Sequence, residues 1–172
     1  MCRPTCSFAA ARRRWSTAAS GATHAHPDHT DALKEVTARA PGAALYAGAA
    51  EMEVGIWSRR WPFRPVTDGQ EVFGLHVVDT PGHTPGHIAV FDIDSRVLVA
   101  GDALINTIDG LKGPMPEFTV DMPTAEESVR KLAALEPQVI LCGHGPPVQR
   151  DAAAQLRRLA RSRPTGDVET GP

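Results

Sequence analysis

Hydrophobic positions along this chain follow helical and strand-like periods, separated by joints rich in Pro and Gly. Leu33, Val36 and Ala40 recur at helical spacing and Pro41-Gly42 stops the run, which predicts a helix over 28–40. Ala43 to Ala47 reads as a short strand and 49–57 as a short helix. Trp57 to Pro65 has no usable period and two prolines, so it reads as a loop. Its aromatics either line an entrance or cover the body of the domain. Asp68-Gly69 is a turn, and Glu71 to Asp79, apolar on both faces, predicts one buried strand. Ile88–Ile93 and Arg96–Ala100 predict a hairpin about Asp94-Ser95.

Residues 103–121 contain Gly110, Gly113, Pro114 and Pro116 and predict a long irregular connection, which in a compact domain usually has a function. Thr124, with Glu127 three positions on, predicts a capping box. The helix it opens has Val129, Leu132 and Leu135 as its buried stripe and ends at Pro137. Gln138 to Leu141 is a short apolar strand, and Ala152, Leu156 and Leu159 mark a last amphipathic helix. At the start, residues 1–22 hold Arg3, Arg12, Arg13 and Arg14, no acidic residue and no clear period. That composition resembles a transit peptide but is read as disorder. The organisation expected is a disordered or non-native segment 1–22, one domain over 23–163, and a flexible tail 164–172.

Composition narrows the function classes. A length of 172 residues with 42% hydrophobic content suits one soluble domain with a real core. The net charge of −2 offers no bulk attraction to nucleic acid or to a membrane surface. No apolar run approaches the roughly 20 residues that span a bilayer. Three cysteines, Cys2, Cys6 and Cys142, make no disulfide framework, so a reduced, cytoplasmic setting is expected. Cys142 reads as a small buried hydrophobe, and His76, inside a strand, as structural.

The chemistry gathers at Thr23-His24-Ala25-His26-Pro27-Asp28-His29. Three imidazoles and a carboxylate in a Pro-containing loop are of little use to a core, where each polar atom needs a partner. They are of obvious use around a metal. Three further places repeat one device, a strand running into a Gly-containing loop with a metal-competent side chain. Strand 71–79 leads to His83, strand 96–100 to Asp102, and strand 138–141 to His144. With His24, His26, Asp28 and His29 these make seven nitrogen or oxygen ligands. One tetrahedral ion needs about four, and seven suffice for two ions sharing a carboxylate and a water.

The run His24-x-His26-x-Asp28-His29, then His83 in Thr-Pro-Gly-His-Thr-Pro-Gly-His, Gly101-Asp102 and Gly143-His144-Gly145 resembles the metallo-β-lactamase superfamily. The resemblance covers about 23–150 and implies an α/β fold (α+β, four layers), an αββα sandwich with the metals at one edge between the sheets. It implies that His24, His26 and His83 hold a first metal, that Asp28, His29 and His144 hold a second, and that Asp102 bridges. His87 would support the loop or a ligand by hydrogen bonding. Two divalent ions, zinc by default with iron or manganese fitting nearly as well, would supply a shared hydroxide for attack on a carbonyl, with Asp28 steering the proton.

Asp102 and His29 look like the glyoxalase II-like branch, since the commonest class B β-lactamases place a Cys where Asp102 stands. A small-molecule thioester, ester or lactone is therefore expected in preference to a β-lactam. Arg59, Arg60 and Lys112 are the basic residues near the expected mouth. One departure stands out. The family's first strands normally deliver the His motif, yet Ala19-Ser20-Gly21-Ala22 is not apolar and 1–18 do not alternate. The N-terminal half-sheet is expected to be incomplete, through a mis-set start or frame, a truncated copy, or completion by a second chain in a homodimer. An inactive metal-binding remnant is the rival functional class.

Overall fold

The computed structural model describes residues 19–53 and 61–162. Strand β1 (Ala19–Gly21) leads through the His cluster into helices α1 (Pro27–Thr30) and α2 (Leu33–Arg39). Strand β2 (Ala44–Gly48) follows, then helix α3 (Ala49–Glu53) and strand β3 (Phe63–Val66). The three strands form a parallel sheet in the order β1-β2-β3. Ala22, Leu33, Leu45, Ala47 and Phe63 bury together beneath it, with Trp61 packed against them. Trp61 and Phe63 thus cover the domain, and 54–60 lie outside the described residues.

Three local expectations change here. A strand does precede the His cluster, inside the segment assigned to the N-terminal extension. Ala, Ser and Gly are weak strand formers, but pairing with β2 (Ala19 with Ala44, Gly21 with Tyr46) holds them extended. The Ala22 amide continues that ladder onto the Tyr46 carbonyl at 3.0 Å. The helix expected over 28–40 is two helices. Pro27 opens the first, and the Thr30 hydroxyl turns back onto the His26 and Pro27 carbonyls at 3.2 and 3.4 Å, a local bond that competes with helix continuation. β3 lies in the segment read as loop, and its Pro65 is tolerated because β3 is at the sheet edge.

The second sheet contains β4 (Glu71–Val72), β5 (Leu75–Asp79), β6 (Ile88–Asp92), β7 (Val97–Thr107), β8 (Gly110–Lys112) and β9 (Val139–His144). Its order is β4-β5-β6-β7-β8, with β9 parallel to β7. The single strand expected at 71–79 is a hairpin. Phe73 and Gly74 both have positive φ, 56° and 79°, as a two-residue turn that matches strand twist requires. The irregular region expected at 103–121 is in its first half a continuation of β7 and the β7-β8 hairpin, because Ala103 and Leu104 are core residues.

Helices α4 (Met122–Ala133) and α5 (Ala152–Arg161) pack on this sheet through Val129, Leu132, Ala152 and Leu156. Cys142 belongs to the same core. Asp121, not Thr124, caps α4. Its carboxylate accepts from the Thr124 amide at 3.1 Å and the Thr124 hydroxyl at 2.7 Å. A third apolar group, Val66 of β3 with Val77 and Ile88 of β5 and β6, joins the two sheets. The result is an α/β sandwich of a small and a larger sheet with helices outside. Among the described residues no helix is long and apolar enough to cross a membrane.

Candidate metal centre

Four chain segments meet at one edge of the sandwich. The loop after β1 brings His24 and His26, and α1 brings Asp28 and His29. The loop between β5 and β6 brings His83 and His87. Asp102 comes from β7 and His144 ends β9. Asp102 is not past a strand end, as expected, but within β7, where the register against β9 shifts between Val99 and Gly101 and again between Gly101 and Ile105. The irregularity turns its carboxylate out of the ladder into the cluster.

The seven side chains expected to act together do converge, in two groups. His24, His26, His83 and Asp102 form one, and Asp28, His29 and His144 the other, the ligand atoms within each lying within 4.8 Å of one another. In the first group His26 Nδ1 is 3.0 Å from His24 Nε2 and 3.1 Å from His83 Nε2. Asp102 Oδ2 is 3.5 Å from His83 Nε2 and 4.0 Å from His24 Nε2. Around a tetrahedral ion with bonds near 2.0–2.1 Å, ligand atoms stand about 3.3 Å apart. In the second group Asp28 Oδ2 is 3.5 Å from His29 Nε2 and 3.3 Å from His144 Nε2. Asp102 reaches both groups. Its Oδ1 lies 3.0 Å from His29 Nε2 and its Oδ2 lies 3.3 Å from His144 Nε2.

Hydrogen bonds on the outer nitrogens orient the rings and, for His83, set the tautomer. The Thr119 hydroxyl donates to the Met115 carbonyl at 2.7 Å, so it accepts from His83 Nδ1, at 3.4 Å. His83 Nε2 is then a bare lone pair facing the cluster. His24 Nδ1 is matched by the Thr23 hydroxyl at 3.0 Å, again leaving Nε2 inward. His87 differs. Its Nε2 accepts the Asp102 amide at 3.1 Å and its Nδ1 meets the Thr80 hydroxyl at 2.7 Å. Both ring nitrogens of His87 are used, so it supports the Asp102 backbone rather than joining either group. Thr23, Thr80 and Thr119 carried no sequence signal beyond adjacency or none at all. His76 sits on β5, 3.9 Å from Glu71, and is not part of the cluster.

The electrostatics suit a cation. Burial keeps the His24 ring neutral by driving its pKa far below the ordinary 6.5, and neighbouring imidazoles add to this. His83 is lowered to about 4 and His87 to about 3, in both cases chiefly by burial. Burial alone would raise the Asp102 carboxyl, but the hydrogen bond and charge of His29, with His144 and His83, outweigh it and hold the group below its usual range. His24 Nε2 and His83 Nε2 both lie within 3.1 Å of His26 Nδ1, and a ring nitrogen with at most one proton cannot satisfy both. Convergent lone pairs beside an ionised carboxylate fit a divalent cation. Gly143 on β9 is required here, because a Cβ at that position would stand 1.8 Å from Asp102 Oδ1.

Comparison with known proteins agrees with this geometry. The family description for the metallo-beta-lactamase superfamily matches residues 22–144. A probable metallo-hydrolase, YflN, of Bacillus subtilis is 50% identical over 82 residues, which are 41% of this chain and 31% of that protein. A hydroxyacylglutathione hydrolase of Rhodospirillum rubrum is 35% identical over 134 residues, 71% of this chain and 46% of the relative. The chain therefore spans less than half the length of these two curated relatives. Among solved structures, TTHA1623 in a di-iron-bound form superposes with a TM-score of 0.64 at 25% identity, covering 84% of this chain and 75% of that one. An archaeal superfamily protein, ST1585 of Sulfolobus tokodaii, gives 0.65 at 18% identity over 90% of this chain and 71% of that one. With the matched region opening just before His24 and ending on His144, and with the sandwich shared, the chain belongs to the metallo-beta-lactamase superfamily.

Proposed function

We propose that this chain is a metal-dependent hydrolase with two cation positions, one at His24, His26 and His83, the other at Asp28, His29 and His144, joined by Asp102. One observation carries the reading: the buried Asp102 carboxylate lies within 3.0–3.5 Å of His83, His29 and His144 at once. When bound, two divalent ions in such a site lower the pKa of a water and polarise a carbonyl. The chain's own residues do the rest. His87 and the Asp102 amide fix the bridging carboxylate. Thr119 holds the His83 ring with its inner nitrogen bare, and Thr23 holds the His24 ring with Nε2 turned inward. Asp28, half exposed, points Oδ2 at His29 and His144 and stands between the cluster and solvent. It is the group placed to take up a proton at Oδ2 and release it to water.

The ligand set is nitrogen and oxygen without thiolate, which suits zinc, iron or manganese, and zinc is the first ion to test. The substrate class is a thioester, ester or lactone. An oxygen ligand at 102 and the 35% identity to a hydroxyacylglutathione hydrolase support it over a β-lactam. The test is metal analysis of the purified chain together with hydrolysis of a thioester, ester, lactone and β-lactam panel, repeated with Asp102→Ala. The expected result is two metals, thioester or lactone turnover, and loss of metal and nearly all turnover in the variant. Full occupancy and activity in Asp102→Ala would overturn the bridging role. Metal bound without turnover on any substrate would replace the hydrolase by a metal-binding remnant.

A further inference from the structure

Asp102 and Glu51 are the two buried carboxylates among the described residues. Asp102 is explained by the cluster. Glu51, on α3, faces no cation position and is 3% exposed. Removing an ionised carboxylate from water costs several kcal/mol unless donors surround it. Glu51 has three. Its Oε1 accepts the Ala25 amide at 2.8 Å. Its Oε2 accepts the Thr84 hydroxyl at 2.8 Å and the Gly86 amide at 3.0 Å.

The donors' places in the chain matter more than their number. Ala25 lies between His24 and His26. Thr84 follows His83, and Gly86 precedes His87. One carboxylate thus ties together the two loops that carry all three imidazoles of the first cation position. The backbones are pressed together to allow it. A Cβ at Gly86 would stand 1.8 Å from the Glu51 nitrogen, and one at Gly48 would stand 2.1 Å from the Gly86 carbonyl oxygen. No side chain fits at Gly86 or Gly48, so α3 and the end of β2 lie directly against the 83–87 loop and hold the carboxylate at a fixed height. Asp28 and His144, in the second position, make no hydrogen bond or ion pair with it.

We propose that Glu51 is a positioning residue that sets the spacing of His24 and His26 against His83, and so governs affinity at the first cation position while leaving the second nearly untouched. The proposal rests on the two-cation reading above. Gln is the informative replacement, because it keeps size and shape. Its amide has one acceptor and one donor end, so at least one of the three donors then faces another donor.

The experiment is Co(II) titration of the full metal-free chain, followed by d–d absorption and chelator competition. His83→Ala and His144→Ala identify which binding step belongs to which position. In Glu51→Gln, with wild-type circular dichroism, the step lost in His83→Ala weakens about 10–100-fold and its absorption band changes. The step lost in His144→Ala stays within about threefold, a split that general loss of structure would not produce. Unchanged binding at both positions, or equal weakening at both, overturns the proposal. Should Glu51→Gln fail to fold, Thr84→Ala removes a single donor and weakens the same step several-fold, while Thr84→Ser restores it. No change in Thr84→Ala overturns the proposal in that case. A wild-type chain that binds no Co(II) overturns the two-cation reading together with it, whereas normal wild-type binding with unaffected variants overturns the Glu51 role alone.

Discussion

Gly143→Ala strikes the metal site harder than the fold. In β9 the glycine has no positive φ, so alanine meets no backbone penalty, and inside a strand it even gains about 0.5–1 kcal/mol over glycine. The obstacle is steric, on the Asp102 carboxylate first and also on the β7 backbone, where the Gly101 carbonyl carbon lies 2.9 Å from the new Cβ. The new Cβ would stand 1.8 Å from Asp102 Oδ1, where ordinary contact begins at 3.4 Å. The carboxylate or the strand must give way by the difference, 3.4 − 1.8 = 1.6 Å. Oδ1 is the atom 3.0 Å from His29 Nε2, and Oδ2, 3.5 Å from His83 and 3.3 Å from His144, is displaced with it. Sites of this kind tolerate about 0.5 Å of misplacement, and 1 Å costs on the order of 100-fold. Zinc affinity measured by chelator competition should therefore fall at least about 100-fold. Urea unfolding of the metal-free chain should lose about 1–3 kcal/mol, the usual cost of overpacking. Wild-type zinc affinity in a folded Gly143→Ala chain would show that Asp102 does not link the two groups.

Two other outcomes follow from the same geometry. His87→Leu leaves the buried Asp102 amide without its acceptor and leaves the Thr80 hydroxyl only the His87 carbonyl at 3.4 Å. An orphaned buried amide costs about 1–3 kcal/mol, so metal-free stability should fall by about that much in urea, and an unchanged stability would deny His87 its supporting role. For pH, His83 and His87 titrate in the folded chain at about 4 and about 3, below the unfolded 6.5. Between those values the unfolded chain binds protons that the folded chain refuses. Stability is thus full above pH 6.5 and falls as the pH drops, by up to about 1.4 kcal/mol per pH unit for each ring. Thermal melts in chelator from pH 7.5 to pH 5 should show that decline, and pH-independent melting would mean the rings are not held neutral.

Much of the site was legible because its chemistry is local. Three His and an Asp within six positions have few other uses, and His83, Asp102 and His144 each sit beside glycines on or next to apolar strands. The position of Asp102 within β7 was harder to see, since Gly101 reads as a stop although Ala103 and Leu104 continue the core. β1 has no strand-forming side chain and exists because β2 pairs with it. β3 was hidden by Pro65, which only an edge position excuses. Glu51 was invisible for another reason. Its partners are a hydroxyl and two backbone amides 26 to 35 positions away, and an amide carries no letter in the sequence. The threonines behind His83 and His87 share that problem in part, since 36 positions separate Thr119 from the ring it orients.

The central claim is that Asp102 joins two cation positions. Anomalous diffraction from crystals of the full chain grown with zinc tests it most directly. The account predicts two peaks about 3.5–4 Å apart, one among His24, His26 and His83, the other among Asp28, His29 and His144, with Asp102 bonded to both. A single peak, or two peaks of which only one touches Asp102, would contradict it.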